Sequence, residues 1–340
     1  MIVDAPRSIN LAQRPTPLQP LNRLSKRLGG PRIWLKRDDL TGMVLSGNKV
    51  RKLEFTLAHA IDQGCDTIIT CGGLQSNHCR ATAMACAELG LHCHWLLRGS
   101  EPEQDDGNFL LDRLLGATVE CIATKTYQAE LDDLLSQRQK EYASKGHRAW
   151  IIPTGASDGI GIWGYIAAFR EILNDAQQHQ LDLKHVLTAT GSGGTQAGLT
   201  LGAAMHANEV AVWGVNVCDD ERWFLDKVAH DLNDWRELYA PNWPLQRCQT
   251  RVIDGYVGPG YAKADPEIFQ SIAELARLEG VVLDPVYTGK AFYALTQELK
   301  AGRFGSSGDI VFVHTGGTFG LFPQKRELQA AMPAGEPLAW

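Results

Sequence analysis

The sequence predicts an α/β protein in which parallel sheets are covered by helices and divided between two lobes. Three observations lead there: short β-type runs alternate with longer helical ones, glycine-rich turns stand between them, and 340 residues with 44% apolar content are more than one sheet needs. Read in order, the β-type runs fall at 33–36, 67–71, 92–97, 149–152, 186–190, 210–217 and 310–314, each short and rich in Val, Ile, Leu or Thr. Helical runs at 53–63, 80–89 and 130–144 lie between them. The turn Thr154-Gly155-Ala156-Ser157-Asp158-Gly159-Ile160-Gly161 reads as the crossing between lobes. This gives a smaller lobe at 53–160 and a larger one from 1–52 and 161–340.

Composition excludes several classes. Lys+Arg 33 against Asp+Glu 39 gives a net charge of -6, which offers no basic surface of the kind nucleic acid requires. No run of 18 apolar residues occurs, and the first residues lack an apolar stretch behind a basic start, so a soluble, cytoplasmic protein with no membrane partner is expected. Eight cysteines without a C-x-x-C pair argue against a disulfide scaffold and against structural zinc. The spacing of Cys79, Cys86 and Cys93 suits a buried helix face better than a metal site, despite the neighbouring His78, His92 and His94. Trp223, Phe224, Trp235 and Tyr239 cluster in one stretch whose simplest reading is helix packing. The tail after Pro323, with Pro333, Gly335 and Pro337, reads as poorly ordered.

Chemistry concentrates at four places. Lys49 follows a Gly47-Asn48 turn and precedes a helix-forming run, where desolvation makes a lysine nucleophilic toward a carbonyl. The run Gly191-Ser192-Gly193-Gly194-Thr195 joins a strand to an apolar helix, so that backbone N–H groups converge as they do on a phosphate. A dinucleotide fingerprint needs glycine where Gln196 stands, and a Walker loop needs a Gly-Lys-Ser/Thr that is absent. A second turn, ending Gln75-Ser76-Asn77-His78, offers hydroxyl, amide and imidazole groups at a helix start suited to a carboxylate, although Ser76 or Asn77 also reads as a plain N-cap. Tyr287 and Thr288 in one segment, and Thr315 in another, bring a ring and two hydroxyls near strand ends. Asp38 and Asp39 read as turn and cap formers.

A nucleophilic lysine, a phosphate cup, a carboxylate cup and a flanking aromatic ring form the set needed for pyridoxal 5′-phosphate to act on a small amino acid. The sequence resembles the D-cysteine desulfhydrase and 1-aminocyclopropane-1-carboxylate deaminase family of fold-type II pyridoxal-phosphate enzymes. Seven motifs in order carry the resemblance: Pro15-Thr16-Pro17-Leu18, Lys36-Arg37-Asp38-Asp39, the run from Gly47 to Glu54, Gln75-Ser76-Asn77-His78, the run from Gly191 to Thr195, the run from Asp284 to Lys290, and His314-Thr315-Gly316-Gly317. The resemblance implies a two-lobed fold with twisted, mostly parallel sheets, and a homodimer. It implies that Lys49 is the Schiff-base lysine, Asn48 a partner of the pyridine 3-oxygen, and Gly191, Ser192, Gly193, Gly194 and Thr195 the phosphate cup. Ser76, Asn77 and His78 become the substrate-carboxylate site, Tyr287 the ring-flanking residue, and Tyr261 a tyrosine facing the substrate.

Two positions bear on the reaction. Deaminases of the family place glutamate after the tyrosine and leucine where this chain has Thr315; the first position here is Thr288. Hydroxyls in place of that carboxylate imply a weaker electron sink, sufficient to expel a thiolate from Cβ, and favour desulfhydration with Lys49, Ser76 and Tyr287 as the catalytic set. The alternatives within the family are cyclopropane-ring deamination and a sulfo-lyase acting on cysteate. Outside it stand a cofactor-binding protein without turnover, which has no need of an intact Lys49, Ser76 and Tyr287, and a nicotinamide oxidoreductase, which Gln196 disfavours.

Overall fold

Two sheets form, and the turns that follow their central strands open onto a single cleft. The computed structural model describes residues 3–332. The larger sheet has the order β1-β2-β10-β7-β8-β9, made of Leu18–Pro20, Arg32–Lys36, Asp309–Val313, Leu183–Thr190, Ala211–Asn216 and Arg251–Ile253. Only β1 within it is antiparallel, pairing Leu18 with Lys36. The smaller sheet, order β5-β4-β3-β6, is parallel throughout and uses Thr118–Ile122, His92–Arg98, Thr67–Gly73 and Ala149–Ile151. Its strands all fall inside the segment 53–160 proposed as the small lobe.

Eleven α-helices lie among the described residues: α1 Asn22–Leu28, α2 Asn48–Asp62, α3 Asn77–Leu89, α4 Gly107–Leu114, α5 Thr124–Ser144, α6 Trp163–Gln178, α7 Gly194–His206, α8 Glu221–Tyr239, α9 Pro266–Glu279, α10 Thr288–Lys300 and α11 Lys325–Ala331. Central strand β10 is buried throughout and β7 from Val186 onward, because helices cover both faces of the sheet there. Cys79, Cys86 and Cys93 pack with Trp95, Leu97 and Phe109 in the core around the small sheet. Phe224 and Trp235 are fully buried, Phe224 against the Trp223 ring and Trp235 against Trp163, while Trp223 stands 41% exposed at the rim of the cleft. No helix among the described residues is long and apolar enough to cross a membrane.

Two sequence expectations are corrected. Asp38 caps no helix through its side chain: it is fully buried, accepting from Arg51 at 2.7 and 2.9 Å, from Thr16 Oγ1 at 2.8 Å and from Tyr165 Oη at 2.6 Å. Glu171 joins the cluster, bonded to Arg51 at 3.0 Å and to Lys36 at 2.6 Å. The reading assumed extended backbone at Asp38-Asp39; the 3₁₀ turn found there aims Asp38 inward and leaves Asp39 to pair with Arg37. The tail after Pro323 is ordered into α11, whereas Pro333, Gly335 and Pro337 lie outside the described residues.

Candidate active site

The cleft holds a cavity of about 850 Å³ whose walls come from both sheets. Lys49, in the first turn of α2, lies on its floor. Burial lowers the Lys49 ammonium from its ordinary 10.5 to about 8, opposed in part by a hydrogen bond with Lys52. Lys52 is completely buried, and burial first, then the charge of Lys49, pushes its own pKa well down. Its Nζ donates to the Gly155 carbonyl at 2.9 Å and to Ser157 Oγ at 3.2 Å. Ser157 Oγ donates in turn to Ser192 Oγ at 2.9 Å and accepts from the Gly194 N–H at 3.2 Å. The crossing turn therefore forms the floor under the glycine-rich turn, and Lys227 reinforces it by donating to the Ser157 carbonyl at 3.0 Å.

The glycine-rich turn closes one end of the cavity. Gly191, Ser192, Gly193 and Thr195 line the wall; Gly194 stands behind it, its N–H taken by Ser157. A methyl group on Gly191 would lie 2.9 Å from Cε1 of Tyr287, so glycine is what lets the ring close over this turn. Asn48 Nδ2 donates to Thr195 Oγ1 at 2.9 Å, and the Asn48 N–H to the Thr315 carbonyl at 3.1 Å, which fixes the start of α2 against both walls.

At the other end, the Ser76 hydroxyl caps α3 by accepting from the Cys79 N–H at 3.2 Å, so a cap and a cavity-facing hydroxyl occur in the same residue. Asn77 Oδ1 accepts from Asn108 Nδ2 at 2.9 Å, and Arg80 donates to Asn108 Oδ1 at 3.0 Å and to the Ser46 carbonyl at 3.1 Å. The Thr70 hydroxyl donates to the Ile152 carbonyl at 2.7 Å and so accepts from His78 Nε2 at 3.0 Å. That network assigns the Nε2–H tautomer of His78. Burial, aided by the charges of Lys49 and Lys52, lowers the His78 pKa well below its ordinary value and keeps the ring neutral, with Nδ1 a buried lone pair lacking a hydrogen-bond partner.

Tyr261 and Tyr287 meet across the cavity with their hydroxyl oxygens 2.6 Å apart and their rings edge to face at 6.1 Å. Burial raises both pKa values, so both stay protonated. The Arg98 guanidinium sits over the Tyr261 ring at 5.2 Å and the Tyr127 ring at 5.9 Å and lines the wall. Thr315 lines the wall as expected. Thr288 stands behind it: fully buried, its hydroxyl donates to Asp284 Oδ1 at 2.6 Å and accepts from the Asp284 N–H at 2.9 Å. Asp284 also accepts from the N–H groups of Val286 and Tyr287 at 2.9 Å and of Thr288 at 2.8 Å, anchoring the start of α10 and with it Tyr287.

The cavity thus gathers Lys49, Asn48, Gly191, Ser192, Gly193, Thr195, Ser76, Asn77, His78, Tyr261, Tyr287 and Thr315, leaving Gly194 and Thr288 one layer back. Sequence reasoning missed Lys52, Ser157, Arg98 and Thr190, the last a lining residue whose buried Oγ1 has no hydrogen-bond partner. The one usable signal was the glycine-rich crossing turn, read as a connection rather than as a floor. These residues fit pyridoxal phosphate: a turn with room for a phosphate, a lysine of lowered pKa, a ring wall at Tyr287, and unsatisfied polar atoms at Thr190 and His78.

Residues 9–316 match the family described as "Pyridoxal-phosphate dependent enzyme". A bifunctional D-cysteine desulfhydrase/1-aminocyclopropane-1-carboxylate deaminase, mitochondrial, from Arabidopsis thaliana is 41% identical over 96% of this chain and 82% of its own. A D-cysteine desulfhydrase of Klebsiella pneumoniae is 40% identical over 92% of this chain and 95% of its own. The crystal structure of an ACC deaminase homologue superposes with a TM-score of 0.86 at 34% identity, covering 96% of each chain.

Proposed function

The chain belongs to the pyridoxal-phosphate-dependent enzyme family, among lyases, and from that premise we propose that it releases sulfide from D-cysteine by β-elimination, leaving pyruvate and ammonia. Pyridoxal phosphate, when bound, supplies an aldehyde that takes up the substrate amine and a ring that draws electrons away from Cα. In this reading the turn from Gly191 to Thr195 holds the phosphate, with Ser157 and Lys52 beneath it, and Asn48 orients the ring.

Ser76, Asn77 and the N–H groups at the start of α3 hold the substrate carboxylate; the neutral His78, its Nε2–H taken by Thr70, lines the wall there and offers the carboxylate no donor. Lys49, where its amine is free, would accept the Cα proton; burial, which lowers its pKa from 10.5 to about 8 in the cofactor-free protein, favours that base form. Proton transfer by a group so placed typically contributes about 10² to 10⁴ in rate. The protonated Tyr261–Tyr287 pair donates to the departing sulfur, which leaves with the electron pair of the Cβ–S bond. Water then takes the place of the amine nitrogen, so cysteine and water become pyruvate, ammonia and hydrogen sulfide. The D preference rests on the family resemblance and the names of the relatives.

The observation that carries desulfhydration over deamination is the hydroxyl at Thr315 on the cavity wall, together with the commitment of Thr288 to Asp284 where the deaminase pattern has glutamate. Neither group protonates a pyridine nitrogen as a carboxylic acid does, and a weaker electron sink suits a thiolate leaving group better than a cyclopropane carbon. The names of the relatives carry both activities, so deamination is the alternative. Arg98 supports a third substrate within the same chemistry: a guanidinium held between two rings suits a β-sulfonate, as in cysteate. Pyruvate release from D-cysteine, L-cysteine, cysteate, D-serine and the cyclopropane amino acid, measured side by side, tests the reading. Faster turnover of the cyclopropane acid than of D-cysteine overturns it.

A further inference from the structure

Three lysines among the described residues are fully buried: Lys52 supports the glycine-rich turn, Lys36 pairs with Glu171 and Asp175, and Lys290 has neither a carboxylate partner nor a task in the chemistry above. It lies in the first turn of α10, three residues after Tyr287, and its side chain is completely buried. Its Nζ reaches three backbone carbonyls: Val257 at 2.6 Å, Gly260 at 2.9 Å and, more weakly, Val217 at 3.4 Å. Three acceptors match the three N–H bonds of an ammonium, whereas a neutral amine has two. No carboxylate pairs with it directly; Asp265 and Asp284 act on it only through longer-range attraction, and burial lowers its pKa. A positive charge kept at such cost among carbonyl oxygens resembles a bound monovalent cation carried on a four-carbon tether.

The carbonyls identify what the charge holds. Val257 and Gly260 belong to the segment between the end of β9 at Ile253 and the start of α9 at Pro266, which has no regular structure and carries Tyr261. Val217 follows β8, and Cys218 beside it lines the cavity. Lys290 therefore joins three parts: the Tyr261 loop, the end of a sheet strand, and the helix that begins beside Tyr287. The loop and the helix start it joins carry Tyr261 and Tyr287, whose hydroxyls meet at 2.6 Å.

We propose that Lys290 is a positioning residue, a tethered cation that clasps the Tyr261 loop to the sheet and so sets the Tyr261–Tyr287 pair against the substrate. The clasp itself is independent of the reaction; its effect on turnover rests on the reading of Tyr261 as facing the substrate.

Hydrogen exchange and steady-state kinetics on the holoenzyme test the two parts separately. In Lys290→Met, amide exchange in residues 255–262 rises while the strands of both sheets keep their protection and the cofactor absorbance is unchanged. KM for D-cysteine rises by about 10-fold and kcat falls less, as expected for a displaced binding group rather than a lost reacting one. In Lys290→Ala the carbonyls are left facing a cavity, and potassium chloride restores loop protection and lowers KM saturably; tetramethylammonium chloride at equal ionic strength does neither, and the wild type ignores both. Potassium suits carbonyl ligands and, unlike an amine, does not react with an aldehyde.

Wild-type loop exchange in Lys290→Met overturns the proposal. So does exchange that rises throughout the chain while cofactor content, kcat and KM all deteriorate, because that is the signature of a core residue. If Lys290→Met does not fold, Lys290→Gln, which still donates two hydrogen bonds, folds and shows the same loop defect in weaker form. Failure of both variants to fold assigns Lys290 to the core and also overturns the clasp. Wild-type kinetics in Tyr261→Phe sink the reading of that tyrosine instead, and leave the clasp to be judged by exchange alone.

Discussion

The two strand-to-helix turns of the cleft solve one problem by opposite means. Each sets a helix N-terminus at the carboxyl end of a central strand, β7 in one case and β3 in the other, and in the proposed function each turns it toward a negative group. After β7 the chain strips away side chains and presents backbone, supporting it from behind with Ser157 and Lys52. After β3 it presents side chains, Ser76, Asn77 and His78, each locked by a partner of its own: the Cys79 N–H, Asn108 and Thr70. The difference suits what each turn is proposed to bind. A phosphate that stays for the life of the enzyme is best held by many equivalent N–H groups, whereas a carboxylate that arrives and leaves each cycle is best held by groups whose position and protonation are set individually.

Lys49 lies between the turns, and replacing it tests both at once. Lys49→Ala loses turnover by at least about 10³-fold, the scale of losing a combined nucleophile and base, while the cofactor still binds. After borohydride reduction of the wild type, mass spectrometry finds the cofactor on the peptide containing Lys49; finding it on Lys52 or Lys290 breaks the assignment. The pKa adds a second check on cofactor-free protein. Because burial lowers Lys49 from 10.5 to about 8, the folded state holds fewer protons than the unfolded chain between those values, and stability rises with pH across that window. Lys49→Met removes that share of the rise in denaturant melts.

Gly193→Asp strikes the bare turn. Gly193 has φ of 83°, and a Cβ there would lie 3.0 Å from the Lys227 side chain, so strain, crowding and a second negative charge act together. Cofactor affinity, read by absorbance titration, falls by roughly 100-fold or more, while molecules that remain loaded turn over normally. Normal affinity in this variant places the phosphate elsewhere. Ser76→Ala strikes the other turn and does the reverse: cofactor affinity holds, KM rises by about 10-fold, and loss of the cap to Cys79 costs about 1 kcal/mol in chemical denaturation. Equal effects of the two changes on cofactor affinity erase the distinction between the turns.

The smallest effect belongs to Thr288→Val. Its hydroxyl serves Asp284 and not the cavity, so stability falls by about 1 kcal/mol while kcat/KM stays within about twofold. A larger kinetic loss returns Thr288 to the site.

The sheets, the glycine-rich turns and Lys49 were legible because each has a local signature: β-branched runs, glycine where a side chain would obstruct, a lysine behind a turn. Three short edge strands, β1, β5 and β9, were not, since edges mix polar and apolar residues and lack a clean period. The support layer was illegible for a different reason. Lys52 meets Gly155 and Ser157 across more than 100 residues, and the Asp38–Arg51–Glu171 cluster joins three distant segments, so no window of sequence contains either. Thr288 shows the converse failure, where adjacency to Tyr287 placed it on the wall and the helical turn carried it behind.

The crossing turn at 154–161 leaves the small sheet at β6 and enters α6, and on the way it supplies the floor under the glycine-rich turn, the proposed phosphate cup. Whatever fills that cup therefore rests on the only stretch of chain between β6 and α6 and bonds it to α2 and α7. If the cofactor fills that cup as proposed, it binds the folded seam and not the unfolded chain, so loaded protein resists denaturant more than cofactor-free protein does, by an amount that grows with free cofactor concentration.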